Sequence, residues 1–244
     1  MMGRGGMPME WQPVRIQPIY NKRDPLDPNN YRPIAITSIL YSLYAGMVTA
    51  ATDRWAAQHG LIPPEQFGFQ RRRSTTQAAF VLRHAVHAQR AARRHGKLHC
   101  TGGQCTSCTT GTSAPGGCTR GIKQGCPLSP LLFSLYISVL PNYLQQKCLA
   151  EGVGCGDGRL RSLIYADDLS LLSSSQAGLQ RMLVALHSCA ASKQLAVNVK
   201  KTEVMAFGGR RGAQTPYTYV YGPGREQLNR VSEFKVLGLQ QAAA

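Results

Sequence analysis

The sequence predicts an α+β domain, on three observations. Apolar residues recur at helical spacing in four separate stretches. The segment "RLRSLIYADDLSLLS" (159–173) instead has the pattern of strand, tight turn and strand. Helical and hairpin signals are mixed along the chain, the arrangement of α+β folds. With 244 residues, 43% of them hydrophobic, the chain can bury a real core in one large domain or two small ones.

The elements follow in order. Residues 1–23 form an ill-defined N-terminal segment in which "PVRIQPIY" reads as a short strand, and "DPLDPNNYRP" is turn chemistry. From Ser38, the apolar residues Ile39, Leu40, Leu43, Tyr44, Met47, Val48 and Ala51 predict a helix that Gly60 stops. A second helix begins at Ser74, which with Gln77 fits a capping box, and Gly96 ends it. Residues 97–120, "KLHCTGGQCTSCTTGTSAPGGCTR", have no usable period, and Gly, Thr, Cys and Ser make up 17 of the 24. Ser129 and Pro130 open a third helix as N-cap and first residue. The hairpin follows, with Asp167 and Asp168 at its turn. A fourth, amphipathic helix uses Leu179, Met182, Leu183 and Leu186, and "LAVNV", "TEVMAF" and "EFKVLGL" are short strand candidates.

The charge balance is unusual: 28 Lys and Arg against 12 Asp and Glu, a net +16. A chain this basic meets a polyanion, either nucleic acid or an anionic membrane surface, unless the charge merely solvates one face. No apolar run reaches the ~18 residues of a membrane span, and the N-terminus lacks a signal-peptide core. The expected location is therefore intracellular, nuclear or cytoplasmic, and the eight cysteines are thiols or ligands rather than a disulfide framework.

Adjacent carboxylates between apolar strands repel each other, and burial adds a desolvation cost. A divalent cation reverses both penalties, and Mg²⁺ is held by one or two carboxylates plus substrate phosphates. The bland alternative is a turn in which both side chains cap backbone N–H groups.

Context favours the metal. "YADD" after an apolar strand resembles the catalytic hairpin of reverse transcriptases, and further stretches agree in order. "NNYRPIAITSILYSLYAGMV" and "EQFGFQRRRSTTQAAF" resemble the first two fingers blocks of the non-LTR (LINE-like) retrotransposon and group II intron enzymes. "GIKQGCPLSPLLFSLYI" is similar to the block against the template and incoming nucleotide, "NVKKTEVMAF" to the block after the hairpin, and "FKVLGL" to the primer grip. The resemblance implies a palm-and-fingers α+β fold, with a fingers-like region at 24–96 and a palm-like region at 121–240. It implies two Mg²⁺ ions, an RNA template, a DNA primer and dNTP. By position, Asp167 is the main metal ligand and Asp168 its neighbour; Arg73 lies near the nucleotide phosphates; Gln124 and Gly125 form the turn beside the nascent pair; Tyr165 packs near the primer end; and Lys201 donates a proton to the pyrophosphate leaving group.

One family residue has no match. A further aspartate belongs on a strand within the interval 97–120, yet the sequence has no acidic residue between Glu65 and Glu151. The expectation is an internally truncated reverse transcriptase, without its first catalytic strand and without a thumb, and inactive. Such a palm would have an unpaired sheet edge, marginal stability and a tendency to aggregate. Three functions stay open: an active polymerase, if Glu151 or Asp157 replaces the missing acid; a nucleic-acid-binding remnant; and a small zinc module built on Cys100, Cys105, Cys108 and Cys118.

Overall fold

A computed structural model describes residues 8, 11, 14–21, 24–91, 98–106, 122–155, 158–207, 218–236 and 239–242; of residues 90, 91, 98–106, 234–236 and 239–242 it describes the backbone only. In chain order the elements are β1 (Arg15–Tyr20), β2 (Tyr31–Ile36), α1 (Ile39–Gln58), α2 (Thr75–Ala91), β3 (Leu98–Thr106), α3 (Ser129–Ile137) and α4 (Val139–Lys147). There follow β4 (Val153–Cys155), β5 (Gly158–Leu160), β6 (Ser162–Tyr165), β7 (Asp168–Ser173), α5 (Gln176–Ser192), β8 (Ala196–Val197) and β9 (Glu203–Phe207). Short strands close the chain: β10 (Val220–Tyr221), β11 (Glu226–Gln227), β12 (Asn229–Arg230), β13 (Glu233–Val236) and β14 (Leu239–Ala242).

Helix starts follow the local chemistry. The Ser38 hydroxyl accepts from Tyr41 N at 3.1 Å, and Gly60, at φ +59°, ends α1 in the left-handed conformation that glycine tolerates. The capping box of α2 is reciprocal: Gln77 N donates to Ser74 Oγ at 3.2 Å, and Ser74 N donates to Gln77 Oε1 at 3.0 Å. Ser175 caps α5 through Gly178 N at 3.0 Å. The third expected helix is broken into α3 and α4. Pro141 has no N–H for the carbonyl four residues back, that of Ile137, and its ring crowds the same oxygen.

Two compact units result, taken over the described residues: Met1–Ile62 with Gly117–Tyr136, and Pro63–Gly116 with Ile137–Ala244. The boundary lies after Ile62 rather than at residue 96, because α2 belongs to the core of the second unit. There Leu82, Ala85 and Val86 cluster with Val153, Leu163, Leu172, Met205 and Phe207. In the first unit β1 and β2 form an antiparallel ribbon that pairs Arg15 with Ile36 and Tyr20 with Tyr31.

The second unit is organised by a sheet of order β12-β9-β3-β7-β6, with β8 also paired to β3. Leu171 and Leu172 are both fully buried although consecutive strand residues face opposite sides, so both faces of the sheet are covered. The α2 cluster covers one face. Helix α5 packs on β7 and β3 and buries Leu179, Met182, Leu183 and Leu186, the four residues its periodicity predicts.

The largest departure from expectation is β3. Residues 98–106 were expected to be irregular, and instead they form the central strand. The strand runs antiparallel to β7, from His99 opposite Ser173 to Gln104 opposite Asp168, and antiparallel to β9, from Leu98 opposite Phe207 to Gly102 opposite Glu203. Its Thr-, Cys- and Gly-rich text is a weak strand signal. Pairing along both edges overrides local propensity, as central strands often do. The unpaired edge between β7 and β9 is therefore not there, and aggregation from that cause does not follow. Residues 107–121 lie outside the described residues.

Candidate active site

Strands β6 and β7 pair Ser162 with Leu171 and Tyr165 with Asp168, leaving Ala166 and Asp167 as a two-residue loop. Ala166 has φ +57°. A positive φ at the first loop position suits the right-handed twist of a hairpin, but an L-residue there is strained by about 1–2 kcal/mol. Tyr165, Ala166, Asp167 and Asp168 are all half-buried. The two acids thus sit at the rim of the sheet rather than inside its core.

The loop is clamped from the β6 side by the segment before α2. Ile164 N donates to Glu65 O at 2.9 Å and Phe67 N to Ile164 O at 2.7 Å, so Glu65–Phe67 lies beside β6 as a short parallel addition to the sheet. Gln66 is fully buried, and its Oε1 accepts from Gly68 N at 2.9 Å and from Ala166 N at 3.4 Å. Arg73, expected near nucleotide phosphates, is tied to the same segment. Its Nη1 donates to the carbonyls of Pro64 and Gln66, and the guanidinium lies 5.2 Å from the centre of the Phe67 ring. Beside the segment, an open groove of about 570 Å³ is lined by Phe67, Arg72, Arg73, Thr76 and Phe80.

On the β7 side stands β3, with Gln104 in register with Asp168. No residue of β3 is acidic. Among the described residues no three His, Cys, Asp or Glu side chains come together in a way that could hold a metal ion. Glu151, one candidate for the missing acid, is committed elsewhere. It is buried, accepts from Arg181 Nε at 2.8 Å, and lies so close to the first turn of α5 that a Cβ at Gly178 would fall 2.0 Å from its Oε2. The same Cβ would fall 2.5 Å from Ser173 Oγ, and Ser173 is five strand residues, roughly 16 Å, from Asp168. Asp157 lies outside the described residues.

Two of the zinc candidates lie on β3. Cys100 and Cys105 are five residues apart on one strand, roughly 16 Å, whereas sulfurs sharing a zinc ion each lie about 2.3 Å from it. Cys108 and Cys118 lie outside the described residues.

The remaining expected residues fall in two places. Lys201 ends a single 3₁₀ turn (Val199–Lys201) just before β9 in the second unit. Gln124 and Gly125 belong to the first unit, where Ala35 N donates to Gln124 O at 2.7 Å. Gly125 has φ +107°, and a Cβ there would fall 2.6 Å from Ala35 O, so glycine is required for this close approach. Next to it, burial pushes the Cys126 thiol up, but the Tyr41 hydroxyl (3.4 Å away) and the backbone N–H groups of Leu128 and Ser129 favour the thiolate and bring it below its usual value.

Sequence reasoning missed Gln66 and Gly68. Both lie inside the block "EQFGFQRRRSTTQAAF", and nothing in its composition signals that the glutamine is buried or that the glycine touches a strand a hundred residues away.

An acid-bearing two-residue turn thus stands at the rim of a mixed sheet, on a chain of net charge +16. The chain belongs to the reverse transcriptase (RNA-dependent DNA polymerase) family, which matches residues 98–241, more than half of its length. The match begins at the first residue of β3. Among curated proteins it is similar to Retrovirus-related Pol polyproteins of R2 retrotransposable elements, which are of the non-LTR type. With the type-1 element of Popillia japonica it shares 26% identity across 88% of this chain and 35% of the relative. With that of Nasonia vitripennis it shares 28% across 49% of the chain and 12% of the relative, and with the type-2 element R2DM of Drosophila melanogaster 30% across 51% and 12%. The chain thus spans about a third of the first relative's length. No helix among the described residues is long and apolar enough to cross a membrane.

Proposed function

We propose that this chain is the palm and fingers part of an R2-like reverse transcriptase that retains the scaffold for primer and template but lacks one acid needed for template-directed synthesis. The observation that carries the reading is the register of β3. The strand stands beside the aspartate hairpin, and its text offers Gln104 opposite Asp168 and no carboxylate anywhere. The alignment with the Popillia japonica relative supports an internal loss. It runs over 255 positions, while 88% of this 244-residue chain is only about 215, so about 40 positions of the relative face no residue here.

Asp167 and Asp168 offer hard oxygen donors at a half-buried turn, which fits one Mg²⁺ ion. They do not fit a pair of ions, because among the described residues no third carboxylate joins them. In this chemistry divalent ions activate the attacking oxygen and stabilise the leaving one. The chain's own residues bind and orient. Arg72, Thr76, Phe67 and Phe80 offer the basic and aromatic surface that single-stranded nucleic acid takes, with bases stacked on rings and phosphates on guanidinium groups. By position in the family, Tyr165 is assigned to the primer end, Gln124 and Gly125 to the turn beside the nascent pair and Arg73 to the nucleotide side, and Lys201 would donate a proton to pyrophosphate in a chain that carried the missing acid.

A primer-extension assay with an RNA template, a DNA primer, dNTP and Mg²⁺ or Mn²⁺ tests the reading. The expected result is tight, salt-sensitive binding of the primer–template, weakening steeply between 50 and 200 mM salt as counterion release requires, with no extension. Template-dependent synthesis that vanishes in Asp167→Ala would refute the proposed defect. Binding indifferent to salt would refute the nucleic-acid scaffold.

A further inference from the structure

The strained loop of the hairpin has to be held by something. Ala166 occupies a conformation that costs an L-residue, and a two-residue loop at a sheet rim has few contacts of its own. The segment 65–68 supplies the hold through two groups. The first is the bare backbone of Gly68. A Cβ there would lie 2.1 Å from Ala166 N, 2.9 Å from Ala166 Cα and 2.9 Å from Tyr165 C, so glycine alone permits this approach. The second is the Gln66 side chain. Its orientation is fixed by chemistry, since both of its partners, Gly68 N and Ala166 N, are donors and only the amide oxygen can accept. Its Nε2 is buried without a hydrogen-bond partner. A fully buried glutamine that leaves its own donor unpaired is costly as mere filling. Its oxygen, by contrast, is the acceptor for the amide of the strained residue just before Asp167.

We propose that Gln66 is a positioning residue for the aspartate turn: its buried amide oxygen, admitted by Gly68, holds Ala166 in the left-handed conformation and so sets the direction of Asp167. Arg73 anchors the same segment from below through the Pro64 and Gln66 carbonyls. The inference rests on the reading of this hairpin as the metal-binding turn. It adds to that reading the group that fixes the turn's shape.

Amide hydrogen exchange on the full chain, read at Ala166 and at the remote Leu183 of α5, separates positioning from filling. Gln66→Met keeps the volume and removes the acceptor, whereas Gln66→Glu keeps an acceptor oxygen. The expected result is exchange at Ala166 at least tenfold faster in Gln66→Met, near the wild-type rate in Gln66→Glu, and unchanged at Leu183 in both. Mn²⁺ titrated in the same samples is expected to bind several-fold more weakly in Gln66→Met than in Gln66→Glu. Unchanged exchange at Ala166 in Gln66→Met, equal acceleration by both variants, or acceleration at Leu183 as well would each overturn the proposal. Wild-type protein that binds no Mn²⁺ at Asp167 would overturn the metal reading of the turn, while the exchange result still decides the role of Gln66.

Discussion

On the β6 side of the aspartate hairpin the chain fits backbone against backbone: Gly68 lies within van der Waals reach of Ala166, and Gln66 and Arg73 are bonded into the seam. On the β7 side a full-length central strand stands in register, six pairs long, yet at the end beside the acids it carries Gln104 opposite Asp168. One flank meets the turn with backbone and side chains alike. The other meets it with a strand whose sequence has no carboxylate. A sheet position is filled by any sequence that can pair along two edges, because backbone hydrogen bonds do not depend on side-chain identity. A metal site depends on one atom type at one position. Scaffold and chemistry can therefore part company at a single strand.

The comparison is broken most directly at Gly68. Gly68→Ala forces a methyl into the backbone of Ala166, and urea unfolding is expected to show a loss of about 3 kcal/mol or more. A loss below about 1 kcal/mol would mean the β6 flank is not tightly fitted. Gln104→Asp sharpens the other side. In metal-free buffer, like charges directly across a strand pair are expected to lower stability by about 0.5–1 kcal/mol. At Mn²⁺ near a hundred times its dissociation constant, the order reverses, with a gain of up to about 2.7 kcal/mol. Thermal melts with and without Mn²⁺ check both signs, and a variant blind to the metal would place the missing acid at some other register. The smallest expected effect is that of Ala166→Gly, which relieves the positive φ and raises stability by about 0.5–1 kcal/mol, after the extra chain entropy of glycine is offset. A decrease in the unfolding midpoint would show that the loop is not strained.

Much of this was legible in the sequence because it depends on local chemistry. The Ser74–Gln77 box, the Ser38 and Gly60 boundaries of α1, the inward face of α5 and the hairpin around Asp167 all follow from spacing and capping rules that act within a few residues. The absence of an acid between Glu65 and Glu151 needed no structure either. What could not be read were the features set by distant parts of the chain. Strand β3 exists because β7 and β9 offer it two edges, not because Thr, Cys and Gly favour extension. Gln66 is buried because a hairpin a hundred residues later lies over it. A guanidinium suits phosphate, which the sequence reading of Arg73 used, and nothing local says that it also meets two backbone carbonyls and a phenyl ring. The break between α3 and α4 was within reach, since Pro141 stands in the sequence with its i−4 carbonyl at Ile137.

Counting manganese tests the central claim, that the chain holds half of a two-ion site. Electron paramagnetic resonance titration of Mn²⁺ into the full chain with bound primer–template, compared with Asp167→Asn, gives the number of ions that depend on the hairpin. The account predicts a difference of one ion per chain. A difference of two, with the second ion bound as tightly as the first, would contradict it.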